Sequence, residues 1–161
     1  MRTVGVNLPT CPGKGYGATF KRIKPAQAPF VSMIDDQVKG AMTRLGYYLR
    51  AAGTIEIGGY NLSLTTPLAK ARCAKLARRV EQVLPGLCDT RLESGGGTPN
   101  FWCCLRLTTS TNISYIGQTK VCKLWVNASN GTRGCTPGSG KAIAELISRQ
   151  KPGLKFGFLG A

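Results

Sequence analysis

The sequence contains no histidine, and only seven of its 161 residues are acidic. The absence of imidazole removes the commonest general base and the commonest metal ligand. With so few carboxylates, a paired-carboxylate mechanism would need two of them to meet in space, and no spacing in the sequence predicts that. These absences argue against an enzyme. The sequence therefore predicts no catalytic residue, no cofactor and no metal site.

The shortage of acids leaves a large positive charge. Lys and Arg together number 22, so the formal net charge is +15 and the isoelectric point is near 10.0. The excess is concentrated in residues 1–30, 61–90 and 121–161. Because a protein ordinarily balances the signs of its surface charges, such an excess indicates a negatively charged partner.

The cysteines and the N-terminus suggest a compartment. Seven cysteines leave at least one unpaired within the chain, and no C-x-x-C motif occurs. We expect no signal peptide and no membrane span, because no apolar run has the required length. A reducing compartment or the interior of a particle is favoured, although the location itself is not predicted. Four N-x-[ST] sequons, at Asn61, Asn112, Asn127 and Asn130, point instead to a secreted glycoprotein.

Turn residues and hydrophobic periodicity in the first half of the chain predict both strands and helices. Residues 1–30 are basic and rich in Pro and Gly, which predicts a strand at 3–8 followed by an extended basic arm. An apolar stripe at helical spacing predicts a helix over 32–53, and a hairpin follows at 54–64. Thr66 and Pro67 then begin a second helix, which ends at Leu84.

The second half of the chain completes an α+β pattern. Residues 101–110 and 113–127 predict two long strands, and residues 140–150 predict a short helix. We therefore expect a single α+β domain, with a mostly antiparallel sheet and two or three amphipathic helices packed on one face. The predicted divisions are the strand and basic arm at 1–30, the α+β core at 31–153, and an apolar tail at 154–161. That tail is expected to dock on the core or on a neighbour.

A run from Cys135 to Ala142 has the spacing of the end of a Walker A loop. Cys135 stands at the first glycine position, and Ala142 replaces the hydroxyl residue that ligates Mg²⁺, so nucleotide hydrolysis is not expected. A turn entering a helix beside Lys141 would still suit an anion.

Charge distribution favours a non-enzymatic basic structural protein of a large assembly, such as a viral or phage coat protein or a ribonucleoprotein subunit. It would bind nucleic-acid phosphates without strong sequence specificity. The predicted contact residues are basic side chains of the arm, the second helix and the Walker-like run: Lys14, Lys21, Arg22, Lys24, Lys70, Arg72, Lys75, Arg78, Arg79 and Lys141. One alternative is a basic linker that docks acidic protein subunits together. A second alternative is a secreted, cysteine-bridged glycoprotein.

Overall fold

In the computed structural model, the described residues are 2–21, 23–91, 99–111, 113–128 and 135–153. The strands among them are β1 (Thr10–Phe20), β2 (Met33–Asp35), β3 (Gly40–Leu45), β4 (Tyr48–Ile57), β5 (Asn100–Thr109), β6 (Tyr115–Gln118) and β7 (Trp125–Ala128). The helices are α1 (Pro67–Val83) and α2 (Cys135–Ile147). The predicted tail at 154–161 lies outside the described residues, so its docking stays a prediction.

Two sheets organise these elements. Five strands form one sheet in the order β2-β3-β4-β1-β5, and β6 pairs with β7 in a second. The pairs β2–β3, β3–β4 and β6–β7 are antiparallel. An α+β class with mostly antiparallel sheet and two helices is therefore confirmed. The residues group into two compact units, Lys14–Leu105 (the sheet unit) and Met1–Gly13 with Arg106–Ala161 (the hairpin unit).

Helix α1 matches its sequence prediction closely. The Thr66 side chain accepts a hydrogen bond from the backbone N–H of Ala69, which satisfies one of the unpaired donors of the first turn. Pro67 occupies the first turn, where no backbone donor is needed. The helix buries one face, formed by Ala69, Cys73, Leu76, Ala77 and Val80. This face packs on the five-stranded sheet.

The predicted helix over 32–53 is wrong, because these residues form β2, β3 and β4. Met42 pairs with Ala51 across β3 and β4, and both are buried, whereas Ile34 is 81% exposed. The strands divide the apolar stripe between the two faces of the sheet, because Met42 and Leu49 are buried whereas Leu45 is 45% exposed on the opposite face. The close approach of two glycines favours the strands over the helix. A Cβ on Gly53 would lie 2.7 Å from the Cα of Gly40, so the two backbones approach too closely for side chains.

The predicted N-terminal arm also differs from the structure where it is described. Residues 2–4 form a short 3₁₀ turn rather than a strand, and β1 lies between β4 and β5 in the sheet. Alternation along β1 buries Tyr16, Ala18 and Phe20 on the α1 side. Residues 10–20 are therefore a central strand and not an arm on the surface.

Two further predicted elements are corrected. The predicted hairpin at 54–64 is wrong, because β4 runs on to Ile57 and no strand follows within residues 58–64. The predicted strand at 113–127 is two short strands, with a turn at Lys123 in the left-handed region (φ 58°). Helix α2 begins at Cys135, before the predicted position 140, so Gly138 to Ala142 lie inside a helix. The Walker-like run therefore does not form a loop that could surround a phosphate.

Candidate functional site

The five-stranded sheet has two faces, and only one of them is covered by α1, the α-helix of the sheet unit's described part. Strand alternation fixes which residues share the other face, which we call the open face. On β2, β3 and β4 the paired positions Ile34, Ala41 and Ala52 lie there, followed by Thr43 with Arg50 and Leu45 with Tyr48. On β1 and β5 it includes Gly15, Gly17 and Trp102.

Arg50 and Trp102 meet above the central strand on the open face. The Trp102 ring lies directly on Gly17, since a Cβ there would come within 2.8 Å of Cη2 and closer still to Cζ2 and Cε2. The Arg50 guanidinium stands 5.5 Å from the centroid of the Trp102 ring. Stacking of this kind holds a guanidinium in place while leaving its N–H groups able to bind an anion. Among the described residues, no carboxylate forms an ion pair with Arg50.

The indole N–H of Trp102 is buried, and it has no hydrogen-bond partner among the residues that the structure describes. A buried donor left unpaired costs about 1–3 kcal/mol, so structures rarely retain one without a reason. Two further side chains of the open face, Leu45 and Tyr48, are each 45% exposed. The open face thus carries the Arg50 guanidinium, positioned by the Trp102 ring, together with exposed aromatic and aliphatic side chains.

A buried polar cluster lies on the α1 side of the same sheet. The phenol of Tyr16, which is 1% exposed, donates a hydrogen bond to the carboxylate of Glu56. The Arg72 Nε atom is 3.8 Å from the same Glu56 oxygen. The Lys14 ammonium donates to the backbone oxygen of Ser63 at 2.6 Å and lies 5.2 Å from the Tyr16 ring centroid. These contacts join β1, β4 and α1.

Burial raises the pKa of the Tyr16 phenol, and the hydrogen bond to Glu56 raises it further. The phenol therefore stays protonated as a donor throughout the physiological range. Burial likewise raises the pKa of the Cys73 thiol, which packs beside Tyr16. A neutral phenol and a neutral thiol fit a structural role better than a nucleophilic one.

The predicted contact residues on α1 divide into two groups. Lys70, Lys75 and Arg78 are exposed. Arg79 instead donates to the Asp35 carboxylate, and Arg72 lies beside Glu56, so both are partly buried in ion pairs with the sheet. Arg79 therefore faces the sheet and is not freely available to a partner.

The other predicted contact residues do not form a shared site with those on α1. Lys14 is only 3% exposed, whereas Lys21 and Lys24 are exposed. Arg22 lies outside the described residues. Lys141 belongs to the hairpin unit, on α2, where its ammonium is 3.8 Å from Glu145.

Arg50 and Trp102 were not among the predicted residues. Arg50 falls inside the mistaken helix, where strand alternation could not be applied to it. Arg106, an exposed residue of β5 in the hairpin unit, was also missed, and among the described residues it forms no ion pair. Within the described residues, no group of three or more potential metal ligands is gathered, and neither α-helix is long and apolar enough to cross a membrane.

Comparison with curated proteins gives a consistent result. The chain is 44% identical over 161 residues to a D-amino acid dehydrogenase of Dechloromonas aromatica strain RCB, covering 99% of this chain and 36% of the relative. A D-amino acid dehydrogenase of Agrobacterium fabrum is 37% identical over 154 residues, covering 94% of this chain and 34% of the relative. The chain therefore spans about a third of the length of these relatives. No family model matches it.

Solved structures show the same fold. Glycine oxidase from Geobacillus kaustophilus superposes with a TM-score of 0.74 at 16% identity, covering 98% of this chain and 40% of that one. L-proline dehydrogenase from P. horikoshii superposes with a TM-score of 0.72 at 17% identity, with the same coverage of 98% and 40%. At this identity, the likeness establishes the fold alone.

These relatives overturn the functional predictions. The curated relatives are enzymes, so the expectation of a non-enzymatic structural protein is wrong. The predicted partners, nucleic acid or acidic protein subunits, are wrong as well. The coat-protein, ribonucleoprotein, linker and glycoprotein hypotheses are wrong for the same reason. The net charge was taken to indicate a negatively charged partner. That inference fails because several of the counted cations bind groups within the fold. Lys14, Arg72 and Arg79 contact this protein's own groups.

Proposed function

We propose that this chain provides substrate-contacting surface for an oxidoreductase that acts on amino acids. The observation that carries the proposal is the 44% identity to a D-amino acid dehydrogenase, which extends over 99% of this chain. The proposed reaction removes one hydrogen from Cα and one from the amino nitrogen of the amino acid, two electrons and two protons in all, so that the Cα–N bond becomes a double bond. The resulting imino acid is hydrolysed by water to a 2-oxo acid and ammonia.

Arg50 is our first candidate for the group that binds the substrate carboxylate. A guanidinium offers two parallel N–H donors that match the two carboxylate oxygens. Stacking on Trp102 limits the freedom of the Arg50 side chain, so less conformational entropy is lost when a carboxylate binds. The exposed apolar side chains of the open face would contact the side chain of the amino acid.

Arg106 is the second candidate. It is exposed on β5, and among the described residues it has no carboxylate partner. Its guanidinium could therefore donate hydrogen bonds to a substrate carboxylate in the same way. Arg50 and Arg106 belong to different compact units. The two candidates are therefore tested separately.

The proposed oxidation requires a two-electron acceptor such as a flavin or a nicotinamide. The run from Gly13 to Ala18 has the G-x-G-x-x-A spacing of a dinucleotide-binding turn, which would join a strand to a helix. Here the whole run lies within strand β1, and Lys14 and Tyr16 within it are committed to the buried cluster. These residues therefore do not fit a dinucleotide.

Direct binding tests the proposal without requiring turnover. Isothermal titration calorimetry would measure the affinity of the purified chain for D-alanine, D-phenylalanine and the corresponding 2-oxo acids. We expect each ligand to bind, and we expect Arg50→Gln to weaken binding by about tenfold, the effect of losing a charge-assisted hydrogen bond. Arg50→Lys should recover part of this loss, because it restores the charge without the paired donors.

Arg78→Gln is the matched control, since Arg78 is equally exposed but lies on α1, away from the open face. Arg106→Gln decides between the two candidate residues. If Arg106→Gln weakens binding and Arg50→Gln does not, the carboxylate site moves to the hairpin unit. If no amino acid or 2-oxo acid binds the chain, the proposed function is wrong.

A further inference from the structure

The hairpin unit contains a groove between its two-stranded sheet and helix α2. The groove is lined by two cations, one aromatic ring, two aliphatic side chains and one amide: Lys123, Arg149, Trp125, Leu146, Ile147 and Gln118. Trp125 is half-buried, and Ile147 is 55% exposed. The groove thus combines accessible apolar surface with positive charge at the same place.

Both cations at this groove sit on unusual backbone. Lys123 has a φ of 58° and Arg149 a φ of 57°, in the left-handed region that side chains with a Cβ rarely adopt. Glycine or asparagine would satisfy either turn at lower cost. The chain instead places a long cationic side chain at each of the two turns that border the groove.

The end of a helix carries partial negative charge, which would oppose an anion bound nearby. Here three carbonyls in the last turn of α2 have hydrogen-bond partners within the chain. The oxygens of Ala144, Leu146 and Glu145 accept hydrogen bonds from the N–H groups of Ser148, Arg149 and Gln150, at 2.8–3.0 Å. These three acceptors at the helix end are therefore already paired.

Among the described residues, no carboxylate forms an ion pair with either of the two groove cations. Glu145 is the single acidic residue in the sequence of the hairpin unit. One of its carboxylate oxygens accepts a hydrogen bond from the backbone N–H of Gly153, and the other lies 3.8 Å from the Lys141 ammonium. Glu145 is not part of the groove lining.

We propose that this groove binds a small anion with a flat apolar body, of the class of aromatic carboxylates. The ring would lie against Trp125 and the aliphatic side chains of α2, and the carboxylate would be held between the two cations. Stacking alone would accept a neutral ring, and the cations alone would accept any anion. Their combination selects a ligand that has both features. This site is independent of the proposed substrate site, which uses other residues.

Two-dimensional ¹H–¹⁵N NMR can test the proposal, because the chain has only two tryptophans and hence two indole N–H signals. The probes are indole-3-propionate, its neutral amide and inorganic phosphate. We expect the propionate to shift the Trp125 indole signal, and the amide and phosphate to bind at least about fivefold more weakly. A shift of the Trp102 signal would instead report binding at the open face.

Asparagine substitutions keep the left-handed turns while removing the charge. Lys123→Asn and Arg149→Asn should each weaken propionate binding by about three- to fivefold, the effect of one exposed ion pair. Lys120→Asn and Lys151→Asn are matched controls, because both lysines are exposed in the same unit but do not line the groove. Three results would overturn the proposal: no Trp125 shift at millimolar propionate, equal binding of the amide, or unchanged affinity in the two groove variants.

Discussion

Replacing Gly17 with alanine tests the packing on which the open face is built. A Cβ at this position would collide with three atoms of the Trp102 indole, a rigid ring that cannot yield by bending. Overpacking of this kind costs about 1–3 kcal/mol, whereas Gly→Ala on compatible backbone gains about 0.4–1 kcal/mol by restricting the unfolded chain. We therefore expect Gly17→Ala to lower the free energy of unfolding by about 1–2 kcal/mol net. Urea denaturation followed by circular dichroism measures the change.

Gly15 supplies the control for this prediction, since it lies two residues away on the same face of β1. A Cβ there would meet only the backbone oxygen of Cys104, at 3.9 Å. Gly15→Ala should therefore be neutral or stabilise the fold by about 0.4–1 kcal/mol. In a Trp102→Ala background, the cost of Gly17→Ala should disappear, which gives a coupling energy of about 1–3 kcal/mol in the double-mutant cycle. Additive effects, or equal effects of the two alanines, would refute the contact between Trp102 and Gly17.

Three other predictions concern the α1 side of the sheet and a partly buried thiol. Leu76→Ala should cost about 2–5 kcal/mol in the same denaturation assay, because Leu76 is 2% exposed, while Lys75→Gln on the exposed face should change stability by less than about 0.5 kcal/mol. The Arg79 guanidinium lowers the pKa of the Asp35 carboxyl, so this ion pair stabilises the fold above the ordinary carboxyl pKa of about 3.9 and is lost as the pH falls through the lowered value. Asp35→Asn and Arg79→Gln should each flatten the acid limb of stability against pH, and an unchanged limb would contradict the pairing. Burial raises the pKa of the Cys88 thiol to about 11, so iodoacetamide at pH 8 should alkylate Cys88 more slowly than the exposed Cys104 and Cys122, as measured by mass spectrometry.

Sequence patterns identified the elements whose signals are local. Helix α1 is predicted almost to the residue, because Thr66 and Pro67 mark its start and its buried face repeats at helical spacing. Strand β5 is also predicted from a local signal, because its Thr and aromatic residues are types that are enriched in strands. The prediction over 32–53 failed because the apolar stripe has no common face in the structure: Met42 and Leu49 are buried, whereas Leu45 lies on the open face. The close approach of Gly40 and Gly53, which fits the paired strands, is a tertiary contact that the sequence does not show.

The candidate site could not be found in this way, because it depends on three strands that are distant in sequence. Arg50, Gly17 and Trp102 come from β4, β1 and β5, which are neighbours only after the sheet has formed. None of the three residues, considered alone in the sequence, indicates a binding site. The long connection between β4 and β5 runs through α1, so no hairpin signal links these strands. The sequence thus predicts the layers of the fold better than the order of strands within them.

The same reasoning explains why net charge was a poor guide to function. A charge of +15 suggests a negative partner only if the cations are exposed to one. Here cations serve as packing groups against rings and carbonyls: the Arg44 guanidinium lies 5.3 Å from the Phe30 ring centroid, and Lys14 bonds to a backbone oxygen. Such contacts need no carboxylate, so a protein that uses them can have few acids and still balance its interior. A charge excess becomes evidence for a partner at exposed cations that lack such contacts, as Arg106 does within the described part of the chain.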